Sequence, residues 1–139
     1  RAIDLIVIHC SSTRENYALT EQALEASHRL IGFDGTGYHF YVRRDGRVLA
    51  TRPVSKGGAH ARGYNAHSIG ICYEGGLDRY GNPKDTRTEW QRHSLSVLVG
   101  KLLQEYPGTC VVGHRDLSPD LNGKRGSGTH GVDQAMSLL

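Results

Sequence analysis

No run of apolar residues in this 139-residue chain approaches the roughly 20 that a membrane-spanning helix needs. A membrane role is therefore not expected. Charge of one sign is never concentrated: 17 Lys and Arg stand against 14 Asp and Glu, and the net +3 is scattered along the chain. That leaves no basic block of the kind that grips nucleic acid. Cysteine is scarce, and Cys10, Cys72 and Cys110 are odd in number, widely spaced and each within or beside an apolar strand-like run. Buried free thiols fit this pattern better than a disulfide framework. Internal repeats and low-complexity tracts are absent too, and the first residues run almost directly into a strand, with nothing that reads as a signal peptide. What remains, with 37% hydrophobic and 22% charged residues, is one globular domain with one core and one site to find.

The elements follow from periodicity. Residues 3–10, "IDLIVIHC", are almost wholly apolar and β-branched, which predicts a strand covered on both faces, central in a sheet with helices on each side. Thr20 can cap a helix running to about Leu30, with Ala23, Leu24, Ser27 and Ile31 expected on its inner face. The stretch "YHFYVRRDGRVLATR" predicts a hairpin turning at Asp45-Gly46, with Tyr38, Phe40 and Val42 on one face and His39, Tyr41 and Arg43 on the other. "KGGAHARGYNAHS", residues 56–68, reads as a loop, and "IGICYEGG" as another buried strand. Thr88 and Gln91 form a capping box for the clearest helix, whose Leu95, Leu98, Val99, Leu102, Leu103 and Tyr106 recur at helical spacing. Pro107 and Gly108 end it. "TCVVGH" predicts a short strand delivering His114, and Asp133 to Leu139 a short terminal helix. Strands interleaved with two helices, one hairpin included, predict an α/β fold with a central mixed sheet flanked by helices.

Eight histidines are the obvious source of chemistry. His28 and His93 sit among polar residues on helices and read as solvated surface, and His39 on the hairpin is read the same way. His9 and His114 differ. Both end apolar strands and run straight into loops, so if those strands are neighbours the two imidazoles converge at one sheet edge. Two such imidazoles are half of a zinc site; the other reading is a pair of hydrogen-bonded strand-end histidines. The string "HRDLSPDLN" imitates a kinase catalytic loop. However, Asn122 follows Asp116 by six residues rather than five, and no glycine-rich nucleotide site accompanies it.

Four segments, "IVIHCSST", "GTGYHFYVRRDGRV", "GAHARGYNAHSIGICYEGG" and "GHRDLSPDLNG", together resemble the zinc-dependent N-acetylmuramoyl-L-alanine amidases of phage endolysins and bacteria, relatives of the peptidoglycan recognition proteins. The likeness runs from Ile3 to Asn122, close to nine-tenths of the chain. It implies a single amidase-type α/β domain with Zn2+ at the floor of a groove, and peptidoglycan or muropeptides as partner. His9 and His114 match two metal ligands and Tyr38 the catalytic tyrosine. "AHARGYN" matches the groove wall, which places His60, Tyr64 and Asn65 near substrate. The implied reaction is hydrolysis of the amide joining N-acetylmuramic acid to L-alanine, by a monomer acting at the cell envelope, outside the cell or after phage lysis. Zinc would generate hydroxide near neutral pH, and a donor such as Tyr38 would stabilise the oxyanion.

The pattern breaks over residues 122–139. The family completes its site with a lysine, one residue, then cysteine-proline, and shortly afterwards phenylalanine and aspartate; here "SGTHGVD" follows. Aligning Asp133 on that aspartate sets Thr129 on the ligand cysteine, His130 on the proline and Ser127 on the lysine. Threonine is a poor zinc ligand, being neutral and hard to ionise. Either His130 has become the third ligand, with Asp133 a weaker substitute and Lys124 or Arg125 standing in for the lysine, or the site is incomplete and the chain binds peptidoglycan without cutting it. His130 in a tail that touches nothing is the third reading.

Overall fold

The computed structural model describes residues 1–117. The terminal helix expected from Asp133, together with Asn122, Lys124, Arg125, Ser127, Thr129, His130 and Asp133, lies outside the described residues.

The strand expected at residues 3–10 is β1 (Leu5–Cys10). It pairs in parallel with β5 (Ser68–Tyr73) on one side and β7 (Cys110–Gly113) on the other. β3 (Phe40–Val42) adds in parallel to β5 and carries β4 (Val48–Ala50) antiparallel at the edge. The resulting order, β4-β3-β5-β1-β7, is a mixed sheet. β2 (Thr13–Arg14) and β6 (Gly76–Leu77) make a separate two-stranded parallel ribbon, too short to leave a sequence pattern.

β1 reads as continuously apolar because both of its faces are covered. Ile6 and Ile8 point into the main core with Ile69, Ile71, Val42 and Val111. That core is closed by α2 (Glu89–Glu105), whose Leu95, Val99 and Leu102 are buried and whose Leu98, Leu103 and Tyr106 pack at its margin, as the spacing predicts. Each such side chain taken fully from water contributes about 1.5–3 kcal/mol. The capping box is present: Thr88 Oγ1 accepts from the Gln91 N–H, and the Thr88 N–H donates to Gln91 Oε1. Val7 and His9 point to the opposite face. There Val7 meets Val112, Ala61 and Tyr64 from the 57–67 loop, while Leu24 of α1 (Glu21–Leu30) covers Tyr41 and Cys72.

Five expectations change. On α1, which Thr20 caps as expected, Ala23, Ser27 and Ile31 are exposed, and the inward face is Leu24 with half-buried Glu21, Glu25 and His28. His28 is therefore not solvated surface: its Nδ1 accepts the Gly37 N–H at 2.9 Å. His39 is fully buried, with Nδ1 accepting from the Gly70 N–H. Tyr38 does not share a face with Phe40 and Val42; it packs with Leu24, Tyr41 and Cys72, because alternation begins only where the strand does, at Phe40. Of the cysteines all three are free, Cys72 is buried, Cys10 is partly so, and Cys110 is exposed at the start of β7.

Candidate metal and catalytic centre

Parallel pairing of β1 and β7 sets Ile8 opposite Gly113, so the next residue on each strand, His9 and His114, leaves the same edge side by side. Their ring centroids are 4.5 Å apart. His9 is 6% exposed; His114 opens a short 3-10 turn, His114–Asp116, in which the Asp116 carboxylate accepts the Gly113 N–H. The convergence expected from two strand ends is thus realised. Tyr38 completes the group from a third direction, its ring centroid 5.1 Å from that of His9.

The 57–67 loop brings in His60. Its Nδ1 lies 2.9 Å from His9 Nε2 and its Nε2 lies 3.1 Å from Ser68 Oγ. Asn65 Oδ1 accepts from the backbone N–H of both His60 and Ala61 at 3.0 Å. Tyr64 packs on the Val7 and Val112 cluster. The three residues that the resemblance sets near substrate therefore also build the loop and its contact with His9.

Electrostatics keep these imidazoles neutral. Burial, then the neighbouring His60 and His114, hold the His9 pKa down to about 2. Burial, then His39 and His114, hold that of His60 near 3. His114 shifts the same way through burial. A buried cation without a counter-ion is costly, so the neutral form prevails at pH 7. Burial, and next the Cys72 thiol, push the Tyr38 phenol far above its ordinary value, so it remains a proton donor.

Neutral imidazole is the form that binds metal. Among the described residues, His9 Nδ1 and both ring nitrogens of His114 have no hydrogen-bond partner, although His9 is buried. Two adjacent neutral rings with unspent nitrogens suit a zinc ion. Among the described residues no group of three or more His, Cys, Asp or Glu could hold a metal.

Sequence reasoning passed over Ser68, Gly58 and Gly70. The trace that Ser68 and Gly70 leave is "SIGIC", in which small residues alternate with isoleucine: one face of β5 is apolar and bulky, the other is kept low.

Comparison with known proteins agrees with this geometry. The chain matches the N-acetylmuramoyl-L-alanine amidase family over residues 1–128. It is 37% identical over 112 residues to an endolysin of Enterobacteria phage K11, which covers 81% of this chain and 74% of the endolysin. Against an endolysin of Escherichia phage T7 it is also 37% identical, over 84% of this chain and 77% of that one. Among solved structures, the N-acetylmuramoyl-L-alanine amidase LysC from Clostridium intestinale URNW superposes with a TM-score of 0.75 at 29% identity, covering 99% of this chain and 87% of that protein. A bumblebee peptidoglycan recognition protein, PGRP-SA, shares the fold at TM-score 0.73 and 21% identity, over 88% and 78% of the two chains.

Proposed function

This chain belongs to the N-acetylmuramoyl-L-alanine amidase family, and we propose that it is a zinc-dependent hydrolase that cuts the amide between N-acetylmuramic acid and L-alanine in peptidoglycan. The observation that carries the reading is the pair His9 and His114, neutral and adjacent, with His9 Nδ1 and both His114 nitrogens free of protein partners among the described residues, beside a tyrosine that stays protonated.

His9 and His114 would hold the metal, with His130 as the third ligand. When bound, zinc supplies Lewis-acid polarisation of a carbonyl and lowers the pKa of water towards neutrality. The protein's own part is positional. β1 and β7, locked in register, fix the spacing of the two imidazoles to the precision of a sheet rather than a loop. Tyr38, its phenol kept protonated by burial, donates to the oxygen on which charge develops as the amide carbonyl is attacked, a donor aimed in advance at the transition state. Cys72 and Leu24 hold its ring on one side. The substrate is peptidoglycan or its soluble muropeptides, met at the cell envelope or after phage-driven lysis, by a monomer. Tyr64 and Asn65 form the adjoining wall for the substrate.

One observation favours a second reading. Residues 126–133 read "GSGTHGVD" without a cysteine, and the resemblance sets Thr129 on the family's ligand cysteine and Ser127 on its lysine; a chain so altered retains peptidoglycan binding and loses hydrolysis. The two are separated by measuring zinc content and stem-peptide release from purified muropeptides for wild type, His9→Ala, His114→Ala and His130→Ala. The amidase reading expects one zinc per chain and peptide release, both abolished in the first two variants and zinc weakened in the third. Binding to sacculi without zinc or peptide release in the wild type would replace it with the binding module. Wild-type turnover in His9→Ala or His114→Ala would remove these residues from the mechanism.

A further inference from the structure

His60 has no solvent-facing chemistry left to offer. One ring nitrogen meets His9 and the other meets Ser68, whose side chain is fully buried. The ring sits in a slot that only glycine leaves open: a Cβ on Gly70 would lie 2.5 Å from its Cγ, and one on Gly58 would lie 2.6 Å from its Cδ2. Its backbone N–H is tied to Asn65. Such a residue is built to act on His9.

We infer that His60, backed by Ser68, fixes His9 as the tautomer protonated on Nε2, which leaves Nδ1 as the lone pair that takes the metal; the inference rests on the zinc reading above. The proton inventory of the chain decides it. Three neutral groups stand in a row, and each of the two contacts needs one donor and one acceptor. If His9 Nε2–H donates to His60 Nδ1, then His60 carries its proton on Nε2 and donates it to Ser68 Oγ. His9 Nδ1 is then unprotonated beside His114. In the reverse order Ser68 donates to His60 Nε2, His60 Nδ1–H donates to His9 Nε2, and His9 must carry its proton on Nδ1. That places an N–H on a 6%-exposed ring with no acceptor among the described residues. An N–H left without a protein acceptor is rarer than a lone pair left without a donor, and only the lone pair can take a metal.

The consequence for the metal is direct. A hydrogen bond from the outer nitrogen of a ligand histidine orients the ring and raises the basicity of the ligating nitrogen, and its loss typically weakens metal binding 10–100-fold. His60 is thus a positioning residue for His9, and Gly58, Gly70 and Asn65 are the walls and clamp that hold it.

The test uses the full chain. Zinc affinity is measured by competition with a chromophoric chelator for wild type, His60→Ala, His60→Asn, Ser68→Ala and His9→Ala, and the tautomers in the metal-free wild type are read from nitrogen-15 NMR of the histidine rings. The expected result is about a 10–100-fold loss of affinity in His60→Ala, with substantial recovery in His60→Asn, whose amide oxygen can occupy the place of Nδ1. A smaller loss is expected in Ser68→Ala, and protons on Nε2 of both His9 and His60. Wild-type affinity in a folded His60→Ala, or a proton on His9 Nδ1, would overturn the inference while leaving zinc binding intact. Equal zinc affinity in wild type and His9→Ala would instead bring down the zinc reading itself. The NMR measurement decides the tautomer even where His60→Ala does not fold.

Discussion

Substituting Gly70 by alanine probes the His60 slot without removing any polar group. An alanine Cβ at this position would sit 2.5, 2.6 and 2.8 Å from Cγ, Cδ2 and Nδ1 of His60, where carbon atoms at rest keep about 3.5–4.0 Å. The ring must therefore withdraw by about 1 Å. It is also packed against Gly58, and withdrawal stretches its contacts of 2.9 Å to His9 and 3.1 Å to Ser68 out of hydrogen-bond range. Overpacking of this kind costs about 1–3 kcal/mol, and each lost hydrogen bond about 1 kcal/mol more, offset by up to about 1 kcal/mol from the lower chain entropy of alanine. We expect Gly70→Ala to lose about 2–5 kcal/mol, a large part of the 5–15 kcal/mol typical of a domain.

Chemical denaturation of metal-free protein, with a chelator present so that ligand linkage does not enter, measures this directly. Gly100→Ala is the control: it lies on the exposed side of α2 with nothing within 4 Å of an added Cβ, so it should stabilise by about 0.5–1 kcal/mol through helix propensity alone. A Gly70→Ala protein within 0.5 kcal/mol of wild type would show that the His60 ring moves freely, and the idea of a built slot would fail.

Three further outcomes follow from the same contacts. Glu74, buried beneath the hairpin, accepts from Arg43, from the Arg44 backbone and from the Leu19 N–H; Glu74→Ala should cost about 3–5 kcal/mol in denaturation experiments, whereas Glu25→Ala, which breaks only the exposed pair with Arg29, should cost less than about 1 kcal/mol. His28 holds the Gly37 N–H next to Tyr38, so on the amidase reading His28→Ala should lower kcat about tenfold with KM little changed, and His28→Asn should restore most of it. Burial holds the His39 pKa below its ordinary value, so below about pH 6.5 the unfolded chain binds a proton that the folded chain refuses. The stability owed to neutral His39 is present above that pH and falls as the pH drops from 6.5 to 5, a window that lies above the carboxylate titrations; denaturation midpoints of wild type and His39→Gln across this range should converge as the pH falls.

How far this molecule could be read from its sequence depended on how many side chains voted for each feature. β1 was legible because its apolar residues run unbroken, and α2 because six apolar residues agree on one helical period. α1 was legible at its cap, where Thr20 alone suffices, but not in its facing: ten residues with a single buried one, Leu24, leave the stripe to be chosen by polarity, and the half-buried Glu21 and His28 won that position by pairing with Arg43 and the Gly37 N–H outside the helix. The meeting of His9 and His114 was foreseeable, since parallel neighbours deliver their ends to one edge. His60 reaches the same place through a loop, whose path no periodicity encodes. Its imprint is on the receiving strand instead. β5 is bulky where it faces α2, at Ile69 and Ile71, and small where it faces the site, at Ser68, Gly70 and Cys72. A buried strand that could hold isoleucine on both faces and holds it on only one is making room for something, and beside a strand-end histidine that something is a second imidazole. The same reasoning does not extend past residue 117, to the stretch in which the resemblance sets Thr129 against the family's ligand cysteine, because those residues lie outside the described ones. For that reason the zinc stoichiometry of His130→Ala, rather than further pattern reading, decides whether the centre closes.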